Sequence, residues 1–127
     1  MPIKTEKNER YFTGLEGEEI ALKEMEKLGF LLVKKRYKTE FGEIDLIVEN
    51  EKQKLVVFLE VKRRKKIYDF SAVISKAQWH RIYDSAEQFL AENFEKYKDY
   101  NIRYDAFICF TETKTTHHIE NVFPMEI

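Results

Sequence analysis

The chain has little of what several functional classes require. One cysteine among 127 residues, Cys109, cannot form an internal disulfide. Its apolar setting, Ala106-Phe107-Ile108-Cys109-Phe110, marks it as a small core hydrophobe in a reducing compartment. Only two prolines occur, Pro2 and Pro124, both at the extremities, so no proline-rich linker divides the chain. Internal repeats and low-complexity segments are missing as well, and the chain reads as one domain, 1–127, with 1–12 as a flexible or helix-leading N-terminus. That leading stretch is polar without an apolar signal core, and no segment approaches the length needed to span a bilayer, so a cytoplasmic protein is expected. An excess of one charge is also lacking. With 22 basic against 23 acidic residues the net charge is -1, and an argument for a nucleic-acid partner must come from local clustering.

What is present is a core. A hydrophobic fraction of 43%, with ten Phe and seven Tyr, is enough for a compact domain of this length. From about Gly14 to Leu28 the residues Ala21, Leu22, Met25 and Leu28 recur at helical spacing, and Gly29 supplies a stop. Short strands are predicted at Phe30–Val33, Gly42–Val48 and Leu55–Lys62, the last two separated by a charged turn. Between Ser75 and Tyr97 a second helical period runs through Trp79, Ile82, Ala86, Phe89 and Leu90. Strands at Arg103–Phe110 and His117–Phe123 close the chain, with Phe107, Phe110 and Phe123 in the core. This order favours an α/β fold, a central mixed β-sheet flanked by helices.

Charges interrupt these buried elements. Asp45, Glu60 and Lys62 lie in strands whose other residues are apolar, and such strands seldom carry carboxylates or an ammonium without a purpose. Alternation puts Glu60 and Lys62 on one face, and Asp45 on one face with Glu43 and Ile47. Glu18 stands on the inward stripe of the first helix, beside Gly14 and Gly17, while Glu19 faces solvent. Two carboxylates with an amine are what phosphodiester hydrolysis with a hard divalent cation needs. Asp45, Glu60 and the Val61 carbonyl are the expected ligands of Mg²⁺ or Mn²⁺. Glu18 is an outer ligand or holds a metal-bound water, and Lys62 orients or helps deprotonate the attacking water. The plain alternatives are an ion-pair network closing a sheet edge and, for Glu18, a charge complementing the helix dipole.

The motifs Gly14-x-x-Gly17-Glu18-x-x-Ala21, Gly29-Phe30, Gly42-Glu43-Ile44-Asp45-Leu46-Ile47, Phe58-Leu59-Glu60-Val61-Lys62-x-Arg64, Arg103-Tyr104-Asp105 and His118–Phe123 occur in the order found in YraN-like proteins. The chain resembles that family over nearly its whole length. The family in turn resembles the PD-(D/E)XK nuclease superfamily, with archaeal Holliday-junction resolvases as the closest functional analogy, which implies a restriction-endonuclease-like fold. Asp45 followed by Glu60-x-Lys62 matches the superfamily core, and Glu18 matches its helix-one acid. Two positions depart from the pattern. The lysine usual near the start of the second helix is replaced by Gln78 at the expected spacing, with Lys76 two residues earlier, and either fills the fourth motif. An Asn usual between the first two strands is replaced near Arg36.

Two basic clusters, Lys34-Lys35-Arg36-Tyr37-Lys38 and Lys62-Arg63-Arg64-Lys65-Lys66, flank the acidic strands. Folded together, Lys34, Lys35, Arg36, Arg63, Arg64, Lys65 and Lys66 would hold phosphate backbones, the alternative being ordinary solvated faces. Tyr37 and Tyr68 are candidates for stacking on unpaired bases. A zinc site at His117-His118 is not expected, because adjacent strand residues face opposite ways; Asp105 is expected to pair with Arg103 or a backbone amide. The reading is a Mg²⁺-dependent endonuclease acting on DNA, branched or damaged forms included. Its competitors are a non-catalytic nucleic-acid-binding module and a protein-interaction domain. A homodimer would address both strands of a duplex.

Overall fold

The computed structural model describes residues 16–66 and 74–122. In chain order these form α1 (Glu16–Lys27), β1 (Leu31–Lys38), β2 (Glu43–Asn50), β3 (Leu55–Arg64), α2 (Lys76–Glu92), α3 (Phe94–Tyr97), β4 (Asn101–Phe110) and β5 (Thr115–Ile119). The strands make one five-stranded sheet in the order β1-β2-β3-β4-β5. All neighbours are antiparallel except β3 and β4, which run parallel and are joined across the sheet through α2 and α3. This mixed sheet with flanking helices is an α/β fold consistent with the restriction-endonuclease-like scaffold.

Each face of the sheet carries its own core. On one side α1 packs Ala21 and Met25 onto Leu46, Val48, Val57, Leu59, Phe107 and Cys109. On the other, Trp79, Ile82, Ala86 and Phe89 of α2, with Tyr97 of α3, cover Ile44, Ile47, Val56, Phe58 and Tyr104. Coverage on both faces is why β2, β3 and β4 read as near-continuous apolar runs rather than alternating ones. Each fully buried Leu or Phe contributes roughly 1.5–3 kcal/mol, so the two layers are the main source of stability.

Helix α1 ends where the glycine predicted it. Gly29 has φ 97, and the amides of Gly29 and Phe30 reach back to the carbonyls of Glu26 and Met25, the paired bonds of a left-handed helix stop. Leu28 then falls beyond the helix and is exposed rather than on the inward stripe. Strand β1 does not stop at Val33 but runs to Lys38, because an edge strand with little above or below it can be built from charged residues. The second helix is capped by Ser75, whose side chain accepts from the Gln78 amide, and it ends at Glu92 rather than Tyr97. Asn93 breaks it by turning both its backbone and side-chain N–H onto the Phe89 carbonyl. Strand β5 is placed earlier than His117–Phe123, and Phe123, Gly14 and Tyr68 lie outside the described residues. Phe107, Cys109 and Phe110 are buried as expected. No helix among the described residues is long and apolar enough to cross a membrane.

Candidate functional site

The site forms where two strands part. Strands β2 and β3 pair from Asn50↔Leu55 to Leu46↔Leu59 and no further, while β3 stays paired with β4 to its end. Just past the last pair, the Val61 amide donates instead to Asp45 Oδ2 at 2.8 Å. The strand geometry prepares this. Ile44 belongs to the core under α2 and Leu46 to the core under α1, so the regular alternation reverses between them, at Asp45. Asp45 therefore does not simply share the face of Ile47, as strict alternation implied. Across the ladder, Arg36 stands between the pairs Lys35↔Leu46 and Tyr37↔Ile44, opposite Asp45, and has φ 51. This left-handed conformation is one that Asn tolerates better than Arg, which gives a physical meaning to the Asn usual near this position.

Asp45 and Glu60 come together at this opening, close enough for each carboxyl group to act on the other. Glu60 is 6% exposed. Burial first, and the Asp45 charge second, push Glu60 up to about 8, against the opposing pull of Lys62. Burial also raises Asp45 to about 6, opposed by the Val61 amide and reinforced by the Glu18 charge. Lys62 Nζ lies 3.4 Å from Glu60 Oε2, as their shared face requires. Gln78 Nε2 donates to the same oxygen at 2.9 Å. Of the two fourth-motif candidates it is Gln78, in the first turn of α2, that reaches Glu60, while Lys76 is exposed on the first residue of the helix.

Glu18 approaches from the other layer. It sits in the first turn of α1, half-buried, with Glu19 exposed as expected. Arg36 Nε donates to Glu18 Oε1 at 3.2 Å. An open pocket of about 180 Å³ is lined by Gly17, Glu18, Val61, Lys62, Arg63 and Cys109. A Cβ on Gly17 would be 3.6 Å from both Cys109 Sγ and Val61 Cγ1, so the small residue keeps α1 close over the ends of β3 and β4. Among the described residues no group of three or more His, Cys, Asp or Glu side chains is placed to hold a metal. The acids thus come as a close pair, Asp45 and Glu60, with Glu18 outside it.

The basic residues surround this region unevenly. Lys34, Lys35 and Arg36 are exposed along β1, Arg63 and Lys65 are exposed at the end of β3, and Arg64 and Lys66 are half-buried there. Lys66 faces Glu112 at 3.8 Å. Tyr37 is not presented to a base: its hydroxyl donates to Glu92 at 2.8 Å and its ring meets Phe89 edge-on. Asp105 takes both partners expected of it, Arg103 and the Asn121 amide, and adds His118 at 2.8 Å. The contact that sequence reasoning missed is Arg36 with Glu18. It joins a helix to a strand 18 positions away, and no periodicity announces such a pair.

The uncharacterised protein family UPF0102 matches residues 17–109, which span α1, the opening of β2 and β3, and most of β4. Similar proteins include a UPF0102 protein of Rhodopseudomonas palustris strain BisA53, 31% identical over 118 residues, covering 93% of this chain and 88% of its relative. Another from Bartonella bacilliformis is 32% identical over 123 residues, covering 94% of this chain and 95% of its own. The residues that shape the opening, from Gly17 and Glu18 to Asp45 and Glu60-Val61-Lys62, all fall inside the matched region, and the chain belongs to UPF0102, the YraN-like family.

Proposed function

We propose that this protein is a divalent-cation-dependent endonuclease that hydrolyses DNA phosphodiester bonds, with branched or damaged DNA as the first substrates to test. The observation that carries the reading is the meeting of Asp45 and Glu60 where β2 and β3 part, with Lys62 Nζ 3.4 Å from Glu60. Two carboxyl groups close together in a desolvated opening, both raised by burial and by neighbouring negative charge, have a demand for positive charge that Lys62 meets only in part. Their hard oxygens suit Mg²⁺ or Mn²⁺, and two side chains with the Val61 carbonyl leave positions for water and phosphate, as is usual for Mg²⁺. A cation of this kind supplies charge neutralisation at the phosphate and a lowered pKa for water.

The chain's own groups supply the rest. Lys62 donates toward the reacting phosphate or orients the attacking water, because its ammonium is too repulsive to a cation to ligate it. Gln78 fixes the Glu60 carboxylate by donating to one oxygen. Lys34, Lys35, Arg63, Arg64, Lys65 and Lys66 offset the repulsion between the acids and a phosphate backbone, giving affinity without sequence reading.

A second reading, a nucleic-acid-binding module without turnover, is favoured by one feature. Glu60 already has Gln78 and Lys62 as partners, and no buried side-chain polar atom among the described residues lacks a hydrogen bond. Cleavage of linear, nicked, flapped and four-way DNAs with Mg²⁺ or Mn²⁺, beside Glu60→Ala and Lys62→Ala, separates the two. Metal-dependent cutting lost in both variants supports the nuclease; DNA binding without turnover in the wild type overturns it.

A further inference from the structure

We infer that Arg36 is a positioning residue that competes with the divalent cation for Glu18 and passes to a substrate phosphate once the cation is bound. The inference rests on the metal-dependent reading of Asp45 and Glu60. Three observations carry it. First, the Arg36 guanidinium bridges from the edge strand to the first turn of α1, its Nε 3.2 Å from Glu18 Oε1. Second, Arg36 has φ 51 directly opposite Asp45, a conformation costing an L-residue about 1–2 kcal/mol, so a strained strand residue is held beside the acids. Third, Glu18 lines the same pocket as Val61 and Lys62, the residues that follow Glu60 on β3.

Arg36 therefore offsets one negative charge of the site when no cation does. The pair is not sealed in: the side chains are 40% and 19% exposed for Arg36 and Glu18. A partly exposed ion pair of this kind is weak, and a divalent ion nearby gives Glu18 a stronger counter-charge. Arg36 then swings toward Lys34, Lys35 and Lys38, where its planar fork of donors suits a phosphate. Cation and DNA binding become mutually favourable through this exchange, and by linkage the coupling acts in both directions.

The test uses Mn²⁺ as the probe, with calorimetric titration of the wild type, Arg36→Asn, Arg36→Lys, Glu18→Gln and the Arg36→Asn/Glu18→Gln double variant. Asn tolerates the left-handed backbone, so the fold is retained, and circular dichroism checks this. Arg36→Asn is expected to bind Mn²⁺ about three- to fivefold tighter, the range set by a partly exposed pair. Arg36→Lys should stay near the wild type, and the gain should vanish in the Glu18→Gln background. DNA affinity measured against salt with Ca²⁺ present should show Arg36→Asn losing about one unit of slope, one phosphate contact. Unchanged or weaker Mn²⁺ binding in Arg36→Asn, or an unaltered salt slope, overturns the inference while leaving the metal centre standing. A wild type that binds no Mn²⁺ overturns both.

Discussion

Two buried acidic sites lie on adjoining strands and have opposite characters. Asp105 on β4 is fully buried beside Leu59 of β3, one residue before Glu60. Burial alone would raise it, but His118, the forked guanidinium of Arg103 and the Asn121 amide outweigh that and hold it below the usual carboxylate range. Asp45 and Glu60 are also desolvated, yet the charges that act on them include other carboxylates, Glu18 and Glu43 on Asp45 and Asp45 on Glu60, and both are raised. A carboxylate saturated by cations and amides behaves as a structural tie between β4, β5 and the chain beyond it. A carboxylate pair short of positive charge has something left to bind.

The contrast breaks most sharply by substitution. Asp45→Ala and Glu60→Ala should each lower cleavage on the order of a thousandfold, while thermal melts in the absence of metal show little loss of stability, because the cost of burying each carboxyl group is relieved. Asp105→Asn should do the reverse. Removing its charge takes the buried counter-ion from Arg103 and His118 and should cost about 3 kcal/mol in denaturant unfolding, with cleavage per folded molecule near the wild-type value.

Dependence on pH separates the sites next. Glu60 is raised from 4.5 to about 8, so its contribution to stability is complete below 4.5 and is lost as pH rises toward 8. Asp105 is lowered, so its contribution is present above its ordinary 3.8 and is lost as pH falls below that. Melting temperatures from pH 3 to 9 should fall on both sides of a maximum. Glu60→Gln should flatten the alkaline limb, as should Mg²⁺, and Asp105→Asn the acid limb. The smallest expected effect concerns the second helix. Gln78→Ala should lower cleavage about tenfold by loosening Glu60, against less than about twofold for Lys76→Ala, in matched initial rates.

The sequence showed the pieces of the site more clearly than their assembly. Asp45, Glu60 and Lys62 stood out as charges in apolar strands, and the Asp105 pairing was legible from Arg103 two residues away. Helix α1 and its stop could be read from Ala21, Met25 and Gly29. What could not be read depends on neighbours distant in the chain. The edge position of β1 is what lets Lys34-Lys35-Arg36 be a strand at all, and a charge run carries no sign of this. The reversal of alternation at Asp45 is set jointly by β1 and β2, so counting along β2 alone misplaces it. Gln78 and Lys76 differ by two residues on a helix, and only the packing of α2 on the sheet brings one of them to Glu60.

The exposed edge has a consequence of its own. Among the described residues strand β1 has a strand neighbour on one side only, and an edge of this kind is the usual invitation to self-association. Lys34, Lys35, Arg36 and Lys38 line it, so a second copy laid alongside would meet a matching row of cations. The same residues that would attract a polyanion therefore act as a guard against aggregation through this border.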